Sequence, residues 1–163
     1  MADTAPPALW LTADAQRWAL RIEASHQHAF GSPLLGRRQT AADAARTCCQ
    51  ALFASPSPVL AHNTRQDPTL IYANAAALKL WCRRWSQMVG MPSRLTAPEQ
   101  ERRERAQALG SAQQQDAVRG YQGIRVDSQG RQFVINNARI WTVWDEQGER
   151  CGQAASFSNW WWI

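Results

Sequence analysis

The sequence has a single lysine, Lys79, among 18 basic residues, so its formal charge of +5 rests on arginine. An arginine excess of this kind says less about an anionic partner than a lysine-rich face would. No stretch approaches the roughly 18 uninterrupted apolar residues of a membrane-spanning helix. The N-terminus has neither the basic start nor the apolar run of a secretory signal. No membrane partner is read from the chain, and a cytoplasmic location is expected. Cys48, Cys49, Cys82 and Cys151 form no CxxC or metal-finger spacing, and adjacent Cys48 and Cys49 are poor disulfide partners for each other. Reduced thiols are expected, and no metal site. His26, His28 and His62 stand in no haem-attachment motif. Internal repeats and low-complexity tracts are absent as well.

What remains is an ordinary globular composition, with 45% hydrophobic and 19% charged residues. A chain of 163 residues suits one domain and can bury about two-thirds of its unfolded surface. Residues 1–11 read as a flexible tail. Thr12 is a candidate cap for a helix that carries Ala15, Trp18, Ala19, Ile22, His26, Ala29 and Phe30 at helical spacing and stops at Gly31. A second helix starts at Thr40, presents Ala41, Ala44, Ala45, Cys48 and Leu52, and ends in Ser55-Pro56-Ser57-Pro58. These two helices make up a segment over residues 12–56.

Residues 59–61 and 69–72 then read as short strands, and Asn74 is placed to cap a helix with Ala77, Leu78 and Trp81. Thr96 and Glu99 have capping-box spacing ahead of a charged helix expected to end near Leu109. In the last third the period changes. Residues 121–126, 131–144 and 150–158 are aromatic and β-branched, and they are separated by the turn sequences DSQG and DEQG. The alternation of Phe133 and Ile135 loses phase before Ile140, Thr142 and Trp144, which predicts a bulge near Asn136-Asn137. The pattern is α+β: a five-stranded antiparallel sheet with short helices on one face. The N-terminal helices are left to pack on the other face or on a second subunit.

Several stretches, taken in order, carry a family resemblance. They are VLAHNTRQDPTLIYANAAALKLW at 59–81, MPSRLTA at 91–97, ERRERAQAL at 101–109, YQGIRVDSQGRQFVINNARIWTVWDEQG at 121–148 and CGQAASFSNW at 151–160. The chain resembles the MEKHLA family, a PAS-like group found as small stand-alone bacterial proteins and at the C-terminus of plant homeodomain leucine-zipper regulators. It departs from the family pattern at Arg119-Gly120, where an acidic residue is usual, and at Gln132, where a second arginine is usual. The tail from Trp160 to Ile163 is also unusual. The resemblance implies a PAS-like domain over 57–160 with a Trp-rich tail at 161–163. It further implies a concave sheet and helical cap around a small-molecule pocket, and a role in sensing or protein interaction.

Candidate chemistry centres on the loop after the first strand. His62 and Asp67 have the residue types of a base and its orienter, but no nucleophile is positioned with them. Turn chemistry explains the same loop: Asn63, Thr64 and Asp67 close it, and His62 bonds to backbone. A binding module is therefore expected over an enzyme, and His62 with Asp67 is the pair an enzyme would use. In GMPSRLTA, Ser93 stands where blue-light flavin PAS domains carry their reactive cysteine, so the photochemical adduct is not expected, and no motif supports flavin or haem. Arg94 beside it reads as a loop ion pair with Glu99 or Glu101. Arg102, Arg103 and Arg105 alternate with Glu99, Glu101 and Glu104, which predicts internal ion pairs and no nucleic-acid surface. Tyr72, Tyr121, Phe133 and Trp141, with polar guides Asn74, Arg125 and Gln153, are candidate pocket residues alongside His62, Asn63, Thr64, Asp67, Ser93 and Arg94. The expected partners are a small-molecule ligand, a second copy through the N-terminal helices, and a protein partner not identified by sequence.

Overall fold

The computed structural model describes residues 8–35 and 44–163. The proposed helix start at Thr40 and Ala41 lies outside the described residues, as does most of the proposed N-terminal tail. The described end of that tail is ordered: Leu9–Leu11 form a 3-10 turn, and Trp10 stacks on Phe53 at 4.2 Å.

Helix α1, Ala13–Phe30, has the ends its sequence predicts. The Thr12 hydroxyl accepts the amide of Ala15 at 3.2 Å, and Gly31 takes a left-handed φ of 70° that closes the last turn on Gln27. Helix α2, Ala44–Ala54, packs on α1 through Cys48, Cys49 and Leu52, which are fully buried against Ala15, Ala19 and Ile22. Small residues on both helices allow the close approach. Burial of each large side chain, such as Ile22 or Leu52, contributes about 1.5–3 kcal/mol. Burial also pushes the Cys48 thiol up to about 12 and Cys49 up to about 11, so both sulfurs stay protonated.

The strands are β1 (Val59–His62), β2 (Leu70–Ala73), β3 (Ala117–Val126), β4 (Gln132–Trp144), β5 (Arg150–Ser156) and β6 (Asn159–Trp162). They form one antiparallel sheet in the order β2-β1-β5-β4-β3, with β6 also paired to β4. The sixth strand corrects the expected five-strand sheet and loose tryptophan tail. With 13 residues β4 outruns β5, and after Phe157 the chain re-enters beside the uncovered half of β4, pairing Phe133 with Trp162 and Ile135 with Trp160. Phe133 then lies edge-on to Trp160 and Trp162, and Arg131 sits over the Trp162 ring at 3.7 Å.

The predicted bulge is present. Between the pairs Tyr121–Ala138 and Gly123–Ile135, β4 has one residue more than β3, and Asn137 adopts φ 53°. Beyond it Ala138, Ile140 and Thr142 continue the face begun by Phe133 and Ile135, while Trp141 and Val143 face α1. The N-terminal helices thus cover the outer face of their own sheet. Trp141 Nε1 donates to the carbonyl of Ile22 at 3.2 Å, and the Ser25 hydroxyl accepts the amide of Trp144 at 2.9 Å.

The inner face is covered by α3 (Ala75–Trp81), α4 (Trp85–Met88) and α5 (Arg102–Gln115). The expected capping box does not form: the Thr96 hydroxyl bonds to the Ser93 carbonyl within a 3-10 turn, and α5 starts six residues after Thr96. It also runs past Leu109 and stops at Asp116, whose φ is 61°. None of Arg102, Arg103 and Arg105 forms an ion pair with Glu99, Glu101 or Glu104 among the described residues. No described helix is long and apolar enough to cross a membrane.

Candidate functional site

Strand β1 ends at His62, directly opposite Gln153 of β5, and both side chains face the helical layer. The loop that follows is closed by one amide. Asn63 donates to the Thr69 hydroxyl at 2.7 Å and accepts the Thr69 and Arg65 amides at 3.0 and 3.3 Å. His62 Nδ1 lies 2.8 Å from the Asn63 carbonyl, which can only accept, so Nδ1 carries the proton. Nε2 is left as a buried acceptor with no hydrogen bond within 3.5 Å among the described residues, the Gln153 side chain opposite being its nearby polar neighbour. Burial, with the positive charge of Arg105 as a smaller cause, holds the imidazole below its ordinary value and neutral.

Between the sheet and α5 lies a small inner cavity of about 40 Å³, room for roughly three water molecules. Its walls include Leu60, Trp81, Ile135, Ile140 and Phe157. At its rim stand His62, Gln153, Arg105, Tyr121 and Arg125. The cavity meets a groove of about 430 Å³ along α5, and the two share His62, Arg105, Leu109 and Gln153.

Arg125 is 5% exposed and is held by its own strand. Nη1 donates to the Ile124 carbonyl at 2.9 Å, Nη2 donates to the Tyr121 hydroxyl at 3.2 Å, and the guanidinium lies over the Tyr121 ring. Gly123, between them on the same face, makes this contact possible, because a Cβ there would collide with the Tyr121 hydroxyl and Arg125. Arg105 reaches in from α5 and is 9% exposed. Desolvation, and then the charge of Arg125, push its guanidinium down to about 10.

The sequence and the fold place the chain among known proteins. The MEKHLA domain matches residues 16–162. The chain belongs to the MEKHLA family. Among solved structures, this MEKHLA domain is similar to the PAS domain of a protein from Colwellia psychrerythraea, with a TM-score of 0.61 at 14% identity over 69% of this chain and 93% of that one. A light-oxygen-voltage domain studied with a flavin analogue gives 0.57 at 13% identity, over 72% and 84%. An RNA-binding light-oxygen-voltage receptor gives 0.58 at 18%, over 68% of this chain and 31% of that one. These likenesses establish a PAS-like fold. Among curated proteins none matches the chain.

The MEKHLA domain gathers only some of the residues singled out by sequence. His62, Tyr121, Arg125 and Gln153 line the inner cavity, while Asn63, Thr64, Asp67, Ser93 and Arg94 line the groove. Asp67 does not orient His62. It pairs with Arg94 at 3.2 Å, so Arg94 does not pair with Glu99 or Glu101.

Four candidates lie elsewhere. Tyr72 and Trp141 fall on the strand phase that faces α1 and α2, where Tyr72 meets Trp85 edge-on and Trp141 meets His26 and Phe30. Phe133 is enclosed by Trp81 and the β6 tryptophans. Asn74 caps α3: its oxygen accepts the amides of Val59 and Ala77, and its nitrogen donates to the carbonyls of Leu52 and Ser57.

Sequence reading did not select Arg105 or Leu109. Their signal is the helix phase: Arg105, Leu109 and Ala112 stand at i, i+4 and i+7, the stripe of α5 that meets the sheet.

Proposed function

We propose that this MEKHLA domain is a sensory module that takes a small molecule between its sheet and α5. The observation behind this reading is the inner cavity, where apolar walls adjoin polar groups with unmatched hydrogen-bonding capacity, His62 Nε2 above all. The inner cavity alone, about 40 Å³, is far below the roughly 300–1,000 Å³ of cofactor-sized sites, so flavin or haem would have to occupy the adjoining groove as well. Among the described residues no cysteine lines either space: Ser93 faces the groove, and Cys48 and Cys49 lie behind the sheet, so a photochemical thioether adduct is not supported. An enzyme built on His62 and Asp67 has less support, because no carboxylate orients the imidazole.

The output of the module is the packing of the N-terminal helices. Ile140 lines the cavity, and its neighbour Trp141 holds α1 through the Ile22 carbonyl, so one strand touches both layers. Self-association through this helical layer, where Leu9 and Leu20 are exposed, and docking of a protein partner there complete the reading. Native mass spectrometry of the purified protein tests it. A small-molecule adduct that disappears in Ala155→Met, which fills the cavity, supports the proposal. An adduct retained in that variant, or none in the parent protein, counts against it.

A further inference from the structure

The inner cavity concentrates positive charge without an acid to match it. Arg105 and Arg125 are both more than nine-tenths buried, and both line the same space. Among the described residues no Asp or Glu lines that space, and the one carboxylate on the groove wall, Asp67, is held by Arg94. Arg125 is at least satisfied by Ile124 and Tyr121, whereas Arg105 has neither an ion pair nor a side-chain hydrogen bond among the described residues. A largely buried guanidinium without a counter-ion loses much of its hydration, and Arg105 keeps contact with solvent only through the groove. Its planar fork is suited to a carboxylate.

The second unmatched group has the opposite polarity. With its proton fixed on Nδ1, His62 offers the cavity a lone pair at Nε2, and a carboxylate oxygen set against that lone pair is repelled. The complement to both groups is one molecule with an anionic end for Arg105 and an O–H donor for His62. Its third requirement is a short apolar tail for the wall of Trp81, Ile135, Ile140 and Phe157.

Resting on the sensory reading above, we infer that the ligand is a small hydroxycarboxylate, its carboxylate held by Arg105, its hydroxyl donating to His62 Nε2, and its tail in the inner cavity. The anion bridges α5 to the sheet at the point where two like charges otherwise oppose their contact.

Three probes differing by one group each test the assignment: 2-hydroxybutyrate, its neutral amide 2-hydroxybutyramide, and butyrate, compared by calorimetric titration and thermal unfolding at constant ionic strength. The acid binds most tightly, and the amide and butyrate are each weaker by about tenfold or more. Arg105→Met erases the preference for acid over amide, Arg105→Lys retains part of it, and His62→Phe erases the preference for 2-hydroxybutyrate over butyrate. Equal binding of amide and acid, or a preference untouched by Arg105→Met, overturns the inference and leaves the sensory reading standing. So does failure of all three probes on a protein that carries a native small-molecule adduct. Failure of the probes on a protein with no adduct removes both.

Discussion

Replacing Arg105 with methionine should make the ligand-free protein more stable, a sign opposite to that of most core substitutions. The long stem of Arg105 lies along the inner face of α5, and methionine keeps a flexible apolar stem of similar reach. What the variant loses is a buried positive charge with Arg125 nearby. A guanidinium pushed well below its ordinary value, to about 10, corresponds to a cost on the order of 3 kcal/mol at 1.36 kcal/mol per unit. The sign follows from linkage. A cation whose folded value is lowered binds its proton less tightly in the folded state, so the penalty is fully present below about 10 and fades only as pH rises from there toward the ordinary guanidinium value. At neutral pH the whole penalty applies. Allowing for imperfect repacking, the expected gain is about 1–3 kcal/mol, or about 3–10 °C in Tm for a chain of this size. Urea unfolding measures it as a higher midpoint at unchanged m. A loss of more than about 1 kcal/mol would refute the reasoning, because it would mean that Arg105 makes a stabilising contact within the folded chain.

Two further outcomes follow from groups away from the cavity rim or shared with it. Asn74→Ala removes a helix cap and strands the Val59 amide and the Leu52 and Ser57 carbonyls in the interior. It should cost about 3–5 kcal/mol in urea unfolding. A loss below about 1 kcal/mol would show that water reaches those groups. His26 and His62 are both held below their ordinary value of 6.5, burial being the main cause in each. As pH falls through 6.5 the unfolded chain therefore takes up protons that the folded imidazoles do not, and stability falls by up to about 1.4 kcal/mol per pH unit for each histidine. Glu23, raised by burial, opposes this trend only at lower pH, in the carboxylate range. His62→Phe should make the slope below pH 6.5 shallower, and an unchanged slope would place the proton uptake elsewhere.

The legible parts of the sequence were those set by local rules. Thr12 and Gly31 delimit α1, Asn74 caps α3, and the phase slip after Ile135 marks the bulge, because caps and strand alternation depend on neighbours a few residues away. Asn63 was likewise readable as the residue that closes the loop. The C-terminal strand was not: Trp160 and Trp162 form it only because β4 offers an uncovered length that β5 cannot reach. Helix α5 misled in two ways. It was expected to end near Leu109 but runs on to Gln115. The alternating Arg and Glu residues suggest surface pairs, whereas the burial of Arg105 depends on which stripe of the helix the sheet receives. Of the candidate site residues, His62, Gln153, Tyr121 and Arg125 lie at the inner cavity, whereas Tyr72 and Trp141 face α1 and α2, since residue type says nothing about which side of a sheet a strand position faces.

The single extra residue at Asn136-Asn137 has a consequence for how this chain can change in length. Strand β4 meets β6 on one side of that bulge and β5 on the other, and each side gives the cavity one wall residue, Ile135 and Ile140. Deleting one residue there would turn every later side chain to the opposite layer, sending Trp141 into the cavity and Ile140 against α1. The hairpin turns at Gly130 and Gly148 carry no such constraint, because a residue added there leaves the strand phases on either side intact. The spacing from Ile135 to Ile140 is therefore a fixed length within the domain, while its turns are free to lengthen.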